Sequence, residues 1–465
     1  MRTLTPSLRW LTQFLATILV FTFFQHKALA QQESPPKPKE GVIRIKVTEA
    51  FAAQLEGNAF RKAATGEVIT GIASLDQLSR QHKVRRMTRV FRHAGKNEER
   101  HRKHGLHLWY ELEIDTGTSV SDAVKSFRSD ENILKAEPVY EKNMYGAGNR
   151  TFSPKIIEAV PNDAILPDAS NDPRLRNQWH YNNTGQTGGT PGADIRLLNA
   201  WKKETGSKDV IVAVTDGGIQ TNHPDLAANM WVNDGEIPGN RIDDDNNGYV
   251  DDVHGYSFVT NSGTITPHDH GTHVGGIIAA VSNNGIGVAG IAGGSGAGDG
   301  IRLMTCAVFS DNGAGGFAES YVYAADHGAV ISQNSWGYYW PGTFEQAVLD
   351  AIDYFIAEAG KDEDGRQTGP IAGGLVIFAA GNADSDGYYY PGIYEPVLAV
   401  AGSTHADLKA VYSNFGAWVD VTAPGGETHM IAEQGVLSTL TGGRYGYLMG
   451  TSMACPHVSG VAALV

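Results

Sequence analysis

Cysteine is scarce in this chain, since only Cys306 and Cys455 occur among its 465 residues. Two cysteines exclude a small scaffold held together by many disulfides. Both lie in apolar surroundings, in RLMTCAVF and SMACPHV, and a free cysteine behaves as a small hydrophobic residue. We therefore expect two buried free thiols, and a disulfide between them is the alternative.

Apolar runs of membrane-spanning length are also missing after residue 30. Before it, Arg2 and Arg9 precede the run WLTQFLATILVFTFF, and Ala-Leu-Ala at 28–30 follows it. This order predicts a signal peptide over residues 1–30, cleaved after Ala30. A membrane anchor is the alternative, but about fifteen apolar residues are short for a span. We expect the mature protein to be secreted, or periplasmic, without a membrane span.

The net charge of −14 is unevenly distributed. Residues 31–165 contain 22 Lys and Arg against 18 Asp and Glu, a net charge of +4, whereas residues 166–465 contain 12 against 33, a net charge of −21. The basic stretch 83–104 is of a kind that binds nucleic acid in other proteins, but an exported protein meets little of it. We expect no nucleic-acid partner, and a solvated surface or a face turned toward the acidic half.

Residues 31–145 are predicted to form a small α+β domain. The segments GVIRIKV and LHLWYELEI read as strands, SVSDAVKSFRSD has apolar residues at helical spacing, and ILKAEPVYEKN reads as a final strand. Ser119 or Ser121 is available to cap the helix. Residues 146–170 are rich in loop-forming residues and predict an exposed connector.

From residue 171 to 465 the pattern changes to alternating strands and helices. The runs DVIVAV, IRLMTCAVF, AVISQNSW, LVIFAAGN and VLAVAGS are short and apolar, as strands buried on both faces are. Between them, TFEQAVLDAIDYFIAEAG predicts a helix capped by Thr343 and ended by Gly360. This alternation predicts an α/β fold with a doubly wound parallel sheet.

Polar residues stand where the strands of this sheet end. Asp216 follows VIVAV and Asn382 ends LVIFAAGN, while His270 and Ser452 stand at the starts of helices. Ligand sites of open parallel sheets lie beyond the carboxyl ends of the strands. A serine hydroxyl needs a base to remove its proton, the base needs a group that orients it, and a developing oxyanion needs hydrogen-bond donors. The sequence offers one candidate for each role.

The segments AVTDGGIQTNHPDL, HGTHVGG, AAGN and GTSMACPHVSG occur in this order, and residues 171–465 thereby resemble the subtilisin-like serine proteases. The resemblance implies that Ser452 is the nucleophile and His270 the general base. It also implies that Asp216 orients the base, and that Asn382 donates to the oxyanion together with the Ser452 amide. Taken singly, such an Asp or Ser is more often a cap or turn residue; the four segments in order favour the triad.

The same resemblance implies a function and a domain organisation. It predicts a secreted endopeptidase of subtilisin-like fold that cleaves protein or peptide substrates through an acyl-enzyme. Residues 31–145 are similar to the family's propeptide, which implies an inhibitor removed by self-cleavage between Tyr145 and Asn171. Domains of this family continue past the serine helix, so the resemblance implies a peptidase domain, residues 171–465, that is truncated at its C-terminus.

The same resemblance assigns the first specificity pocket to two segments, one at the end of a strand and the other YYYPG. Its wall is expected at Ser335, Trp336 and Gly337, and Tyr389 occupies a position where a small residue is common, which predicts a shallow pocket. The Tyr390–Pro391 bond is a candidate cis peptide. Gly217 follows Asp216 where the family has a hydroxyl residue, so we expect one hydrogen bond to this carboxylate to be missing.

The stretch DDDNNGYVDD, residues 243–252, is a candidate calcium loop. Oxygen-bearing side chains occupy its positions one, three and five, and Gly248 occupies position six. His254 stands at position twelve in place of Glu, which excludes an EF-hand. A structural calcium ion is expected, and a solvated acidic turn is the alternative. The candidate ligands are Asp243, Asp245, Asn247 and Asp252.

Asp225 and Asn283 lie in segments that resemble another calcium site of the family, which implies a second ion. Two other functional classes stay open at this point. One is a catalytically weak or inactive homologue that binds peptides. The other is a zinc hydrolase that uses His268, His270 and His273, although the HExxH glutamate is absent; His273 is expected to be structural.

Overall fold

The computed structural model describes residues 36–57, 60–145, 155–156, 170–311 and 313–465. The predicted signal peptide and nearly all of the predicted connector lie outside the described residues, so both stay predictions. From Pro38 onward the chain forms one unit. We call residues 38–145 the N-terminal part of this unit and residues 170–465 its C-terminal part.

The N-terminal part alternates strands and helices, as expected. Its strands are β1 (Pro38–Val47), β2 (Arg61–Lys62), β3 (Val68–Ile69), β4 (Val84–Arg89), β5 (Trp109–Ile114), β6 (Ile133–Tyr140) and β7 (Lys142–Met144). Its helices are α1 (Glu49–Gly57), α2 (Ala73–His82), α3 (Glu98–Lys103) and α4 (Val120–Arg128). An antiparallel sheet in the order β4-β5-β1-β6 contacts α4. The predicted cap is confirmed, because the Ser119 hydroxyl accepts the Asp122 N–H at 3.2 Å.

The C-terminal part is built on strands and helices that alternate along the chain. The strands that follow the N-terminal part are β8 (Lys155–Ile156), β9 (Ile211–Gly217), β10 (Gly255–Ser257), β11 (Arg302–Ser310), β12 (Gly313–Ala314), β13 (Ile331–Asn334), β14 (Trp336–Tyr338), β15 (Leu375–Ala379), β16 (Leu398–Ser403), β17 (Val421–Pro424), β18 (Val436–Leu440) and β19 (Arg444–Leu448). The helices are α5 (Leu197–Ala200), α6 (Asp269–Ala279), α7 (Phe317–Asp326), α8 (Gln346–Glu358) and α9 (Thr451–Ala462).

Seven of these strands form one parallel sheet in the order β10-β11-β9-β13-β15-β16-β17, and β12 pairs antiparallel with β11. Helices α6 and α9 pack on one face of the sheet, in a core that contains Ile277 and Met453. Helices α7 and α8 pack on the other face, in a core that contains Tyr321 and Phe355. The predicted doubly wound sheet is confirmed, and the five apolar runs are its central strands.

Two further expectations are met in the C-terminal part. Cys306 and Cys455 are both buried and free, and the Tyr390–Pro391 peptide bond is cis. Among the residues that the structure describes, no helix is both long enough and apolar enough to span a membrane.

The basic stretch of the N-terminal part, residues 83–104, faces the acidic C-terminal part. Of the two predictions for this stretch, a solvated surface or a face turned toward the acidic half, the structure supports the second. The Arg92 guanidinium lies 2.6 Å from the Glu319 carboxylate, and the Arg100 guanidinium lies 2.6 Å from the Asp326 carboxylate. Side chains of opposite charge thus join the two parts over a wide surface.

Helix α8 begins two residues later than expected, and the predicted cap is wrong. The Thr343 hydroxyl has no hydrogen-bond partner. Instead, the Glu137 carboxylate of the N-terminal part accepts the backbone N–H groups of Gln346 at 2.8 Å and Ala347 at 3.1 Å. A carboxylate suits this position because the first N–H groups of a helix are unpaired and carry a partial positive charge. The N-terminal part therefore completes a helix of the C-terminal part.

Glu137 gives the interface a dependence on pH. Burial, with a further contribution from Glu345, raises the pKa of Glu137 to about 7. The folded chain then holds this proton more tightly than the unfolded chain does. The stabilisation that results is complete below the unfolded pKa near 4.5 and is lost as the pH rises through about 7. We expect Glu137→Gln, in a Ser452→Ala background that prevents the expected self-cleavage, to remove this part of the pH dependence.

Urea unfolding of the two variants between pH 5 and pH 8 measures the effect. The unfolding free energy of the Ser452→Ala protein is expected to fall over this range by more than that of the double variant, with a difference of at most about 3 kcal/mol. Identical pH profiles for the two proteins would contradict the role given to Glu137.

Candidate active site

Asp216 and His270 form a buried hydrogen-bonded pair at the carboxyl end of a central strand of the parallel sheet. Asp216 lies near the end of β9 and His270 in the first turn of α6, and neither is exposed to solvent. The His270 Nδ1 atom lies 2.7 Å from Asp216 Oδ1. The same carboxylate oxygen accepts the Gly217 N–H at 2.7 Å. Because Nδ1–H donates to the carboxylate, Nε2 is left as the basic nitrogen of the ring.

Ser452 stands in the first turn of α9, where its hydroxyl donates to the Ser335 carbonyl oxygen at 3.3 Å. In return, the Ser335 hydroxyl donates to the Ser452 carbonyl oxygen at 3.0 Å. Gly450 precedes this turn with φ at +141°, a conformation that favours glycine. A Cβ atom on Gly450 would lie 3.2 Å from Asn382 Nδ2. The glycine therefore leaves room beside the serine for the Asn382 amide.

The Asn382 side chain is held in one orientation by its neighbour in α9. Its Oδ1 atom accepts the Thr451 N–H at 2.9 Å and the Thr451 hydroxyl at 2.8 Å. With the oxygen engaged, the amide nitrogen is the atom left to donate. Sequence reasoning missed this role of Thr451, although a hydroxyl residue directly before Ser452 was a visible signal.

The end of the N-terminal part lies in this site as an added strand. Strand β7 pairs antiparallel with β14, with Met144 opposite Trp336 and Asn143 opposite Gly337. The next residue, Tyr145, donates its N–H to the Ser335 carbonyl oxygen at 2.9 Å.

The Tyr145 carbonyl oxygen lies 3.5 Å from His270 Nε2. The peptide group of this residue is thus brought next to the pair formed by Asp216 and His270. Its own strand pairing, rather than a loop contact, determines that position.

The Tyr145 side chain fills the expected first specificity pocket. It is 6% exposed, and a Cβ atom on Gly337 would lie 1.8 Å from its hydroxyl oxygen. Tyr389 lines this pocket and is itself buried. The expectation of a shallow pocket is wrong, because the glycine wall gives a tyrosine room. The Trp336 ring is not on the wall; it packs in the core, 5.3 Å from the Phe378 ring.

The missing hydroxyl at Gly217 has a visible consequence. The Asp216 Oδ2 atom is buried without a hydrogen-bond partner. A Cβ atom on Gly217 would lie 2.7 Å from the Cβ and Cγ atoms of His268. The His268 ring therefore occupies the space of the hydroxyl residue, and its Nδ1 atom accepts the His270 N–H at 3.1 Å.

His273 is a structural residue, as expected. It is fully buried, and its Nε2 atom lies 3.0 Å from the Val436 carbonyl oxygen and 3.1 Å from that of Gly446. Burial lowers its pKa to about 3. His268, His270 and His273 therefore make separate contacts, and no group that could hold a metal ion is found among them in the described part of the chain.

The candidate calcium loop brings carboxylates together, and it includes one residue that the sequence analysis missed. One oxygen atom each of Glu236, Asp243 and Asp245 lies within 4.8 Å of the others. Such a set of oxygen ligands fits a hard cation such as Ca²⁺. Glu236 escaped notice because it lies outside the acidic stretch that the spacing argument used.

The other two predicted ligands of this loop lie beside that cluster. The Asn247 amide nitrogen lies 3.1 Å from Asp245 Oδ2 and 3.2 Å from Asp252 Oδ2. Asp252 is fully buried and also accepts the Tyr323 hydroxyl at 2.7 Å. Asp252 is therefore turned toward the core behind the loop.

At the second predicted cation site, a different asparagine lies beside Asp225 than the one predicted. Asp225 is fully buried, but its Oδ1 atom accepts the amide of Asn284, at 2.7 Å, rather than that of Asn283. The Asn283 side chain accepts the Asn171 N–H and donates to the Ser295 carbonyl oxygen. The structure thus places Asn284, rather than Asn283, against Asp225, and two adjacent asparagines present the same sequence signal.

Comparisons with known proteins identify the family of the chain. The family model described as the subtilase family (Peptidase S8) matches residues 207–465. The chain is 32% identical over 315 residues to a thermophilic serine proteinase of Bacillus sp. strain AK1, a match that covers 67% of this chain and 65% of that protein. It is 34% identical over 276 residues to thermitase of Thermoactinomyces vulgaris, covering 58% of this chain and 79% of thermitase.

Two further similarities concern another protease sequence and a solved structure. An extracellular protease of Xanthomonas campestris is 33% identical over 336 residues, covering 66% of this chain and 52% of that protein. The crystal structure of fervidolysin from Fervidobacterium pennivorans, a keratinolytic enzyme related to subtilisin, has a TM-score of 0.56 at 21% identity. That match covers 93% of this chain and 55% of the fervidolysin chain. The chain thus spans between about half and four fifths of these proteins.

The fixed amide of Asn382 leads to a kinetic prediction. If its Nδ2 atom donates to an oxyanion, Asn382→Ala lowers kcat for peptide hydrolysis by about 10²–10³ and changes KM little, because the contact strengthens only in the transition state. Steady-state kinetics measures both constants. Asn199→Ala is the matched control, since Asn199 is exposed. An unchanged kcat for Asn382→Ala would assign the donor role to another group.

Proposed function

Because the chain belongs to the subtilase family, we propose that it is a serine endopeptidase that cleaves protein substrates through Asp216, His270 and Ser452. The observation that supports this proposal most strongly is the position of the Tyr145 peptide group. Its N–H is bonded to the Ser335 carbonyl oxygen and its own carbonyl oxygen lies 3.5 Å from His270 Nε2.

In the proposed reaction, His270 Nε2 removes the hydroxyl proton as Ser452 Oγ attacks the carbonyl carbon of the substrate. The C–N bond then breaks, His270 returns the proton to the leaving amine, and an acyl-enzyme remains that water hydrolyses. Asp216 holds the ring in the tautomer with Nδ1–H and stabilises its protonated form. The Ser452 N–H and the Asn382 amide donate to the oxyanion.

We also propose that the protein is exported as a precursor and that the N-terminal part is its propeptide. Two features support this: strand β7 occupies the substrate position, and the two parts carry opposite net charge. The Tyr145 peptide lies beside the candidate base, so we place the maturation bond between Tyr145 and Gly146. After cleavage the propeptide remains as an inhibitor until it dissociates. Extracellular proteases among the similar proteins support export.

Self-cleavage of the full chain tests the proposed function. The wild-type chain is expected to yield a fragment whose N-terminal sequence begins at Gly146, whereas Ser452→Ala stays intact and folded, since loss of one hydroxyl changes the volume little. Mass spectrometry and Edman sequencing identify the bond. Ser459→Ala, which removes another buried hydroxyl from the same helix, is the control and is expected to be processed. An intact wild-type chain without peptidase activity would favour a peptide-binding homologue.

We further propose that calcium binds at the loop formed by Glu236, Asp243 and Asp245, with Asn247 and Asp252 beside it. Mutual repulsion of the carboxylates disfavours the compact loop unless a cation offsets it. When bound, the ion supplies structural stability and no part of the reaction. A second calcium ion is proposed at Asp225, with Asn284 and the buried carboxylate of Asp172 as the nearby oxygen donors; these two residues replace Asn283 in that role.

Removal of calcium from the Ser452→Ala protein tests this proposal without interference from self-digestion. Chelation is expected to lower the unfolding temperature, because binding to the native state alone contributes about 2.7 kcal/mol at a hundred times the dissociation constant. Differential scanning calorimetry with added calcium and with chelator measures the change. Asp245→Ala is expected to lose part of the response, and Asp364→Ala, which removes an exposed carboxylate paired with Arg366, is expected to keep it. An unfolding temperature insensitive to chelator would identify the loop as a solvated acidic turn.

A further inference from the structure

The fourth residue before the proposed maturation bond, Lys142, is enclosed by the C-terminal part. Its side chain is 3% exposed. In the pairing of β7 with β14 it lies opposite Tyr338. Its ammonium nitrogen is 5.1 Å from the centroid of the Tyr338 ring and 5.0 Å from that of the Phe317 ring. Two aromatic faces at this distance attract a cation.

The ammonium group of Lys142 is bonded to Glu345, the residue that precedes helix α8. The Lys142 Nζ atom donates to Glu345 Oε1 and also, at 3.1 Å, to the Tyr140 carbonyl oxygen. Burial lowers the pKa of Lys142, and the Glu345 carboxylate offsets part of that lowering. The charge of this lysine therefore depends on the carboxylate beside it.

Glu345 is fully buried, and the N-terminal part supplies the donors to its carboxylate. The other two are the Tyr140 N–H, at 2.7 Å, and the Arg44 guanidinium, at 2.8 Å. Among the described residues, all three donors to this carboxylate thus belong to the segment proposed to leave. When that segment leaves, the Glu345 carboxylate loses these partners, close to the two aromatic rings that face the Lys142 ammonium group. An unpaired carboxylate in a partly apolar site favours a ligand that carries a positive charge.

A substrate that follows the path of β7 brings its own fourth residue to this place. The pairing of β7 with β14 uses backbone groups, so it fixes the register for any extended peptide. The first pocket would receive the residue at the position of Tyr145, and the side chain at the position of Lys142 would enter the space beside Glu345. Side chains of the C-terminal part then determine which substrate residue is preferred at the position of Lys142.

We propose that Glu345, Phe317 and Tyr338 form a cation-binding subsite that selects substrates with lysine four residues before the cleaved bond. This inference rests on the proposed endopeptidase function and adds a substrate class to it. The N-terminal part, through Lys142, occupies the subsite before maturation, and a lysine of a protein substrate occupies it afterwards. Glu345 contributes by binding and positioning the substrate, and it takes no part in bond cleavage.

A set of tetrapeptide p-nitroanilides tests the subsite with the enzyme obtained by self-processing of the full chain. The peptides have the form X-Asn-Met-Tyr, taken from residues 142–145, with X as lysine, norleucine or glutamate. Norleucine matches the length of lysine without its charge. We expect kcat/KM for the lysine peptide to exceed that for the norleucine peptide by about 10-fold or more and that for the glutamate peptide by more, mainly through KM, as a binding contact predicts.

Variants of the enzyme assign the effect to Glu345. In Glu345→Gln the ratio of kcat/KM for the lysine peptide to that for the norleucine peptide is expected to fall close to 1. Glu358→Gln is the matched control, because it neutralises a carboxylate at the other end of the same helix, where the partner is His104. This control is expected to keep the preference for lysine.

The outcomes separate the subsite from the proposed function. Equal hydrolysis of the lysine and norleucine peptides by the wild-type enzyme would overturn the subsite and leave the endopeptidase function standing. Hydrolysis of none of the peptides would overturn both. The peptide comparison on the wild-type enzyme needs no variant, so it decides the question even where Glu345→Gln fails to fold or process.

Discussion

The antiparallel pairing of β7 with β14 is the contact on which the arrangement of the site depends. Backbone hydrogen bonds fix the register of β7, and this register places the Tyr145 carbonyl group beside His270 and the Lys142 ammonium group beside Glu345. One strand thereby marks the proposed direction of a substrate, the proposed first pocket and the proposed charged subsite.

Electrostatic complementarity extends this contact over a wide surface. The basic stretch 83–104 faces acidic side chains of the C-terminal part. The Glu137 carboxylate caps the N-terminus of α8 by accepting a backbone N–H group. The buried charges of Arg44, Arg100 and Lys142 are tolerated because each finds a partner in the C-terminal part. Separation of the two parts, as proposed, would expose these carboxylate partners together with apolar surface of the core that the two parts share. A positively charged ligand suits the exposed carboxylates.

The sequence predicted the sheet, and the candidate pair of Asp216 and His270 beside it, because both follow from local patterns. Strands buried on both faces are short apolar runs, and Asp216 stands where such a run ends. Contacts between distant residues were not predictable in this way. The partner of α8 is Glu137, 209 residues before the amide it accepts, so the local signal at Thr343 was misleading. The choice between Asn283 and Asn284 likewise depends on which side chain the loop turns inward.

A nucleophilic Ser452 that the N-terminal part covers is central to the proposed function. Reaction of the processed protein with a fluorophosphonate, followed by peptide mass spectrometry, tests this most directly. We expect a single modified residue, Ser452, and slower labelling when the cleaved N-terminal part is added back. Labelling at another residue, or a rate at Ser452 that the N-terminal part does not change, would contradict the account.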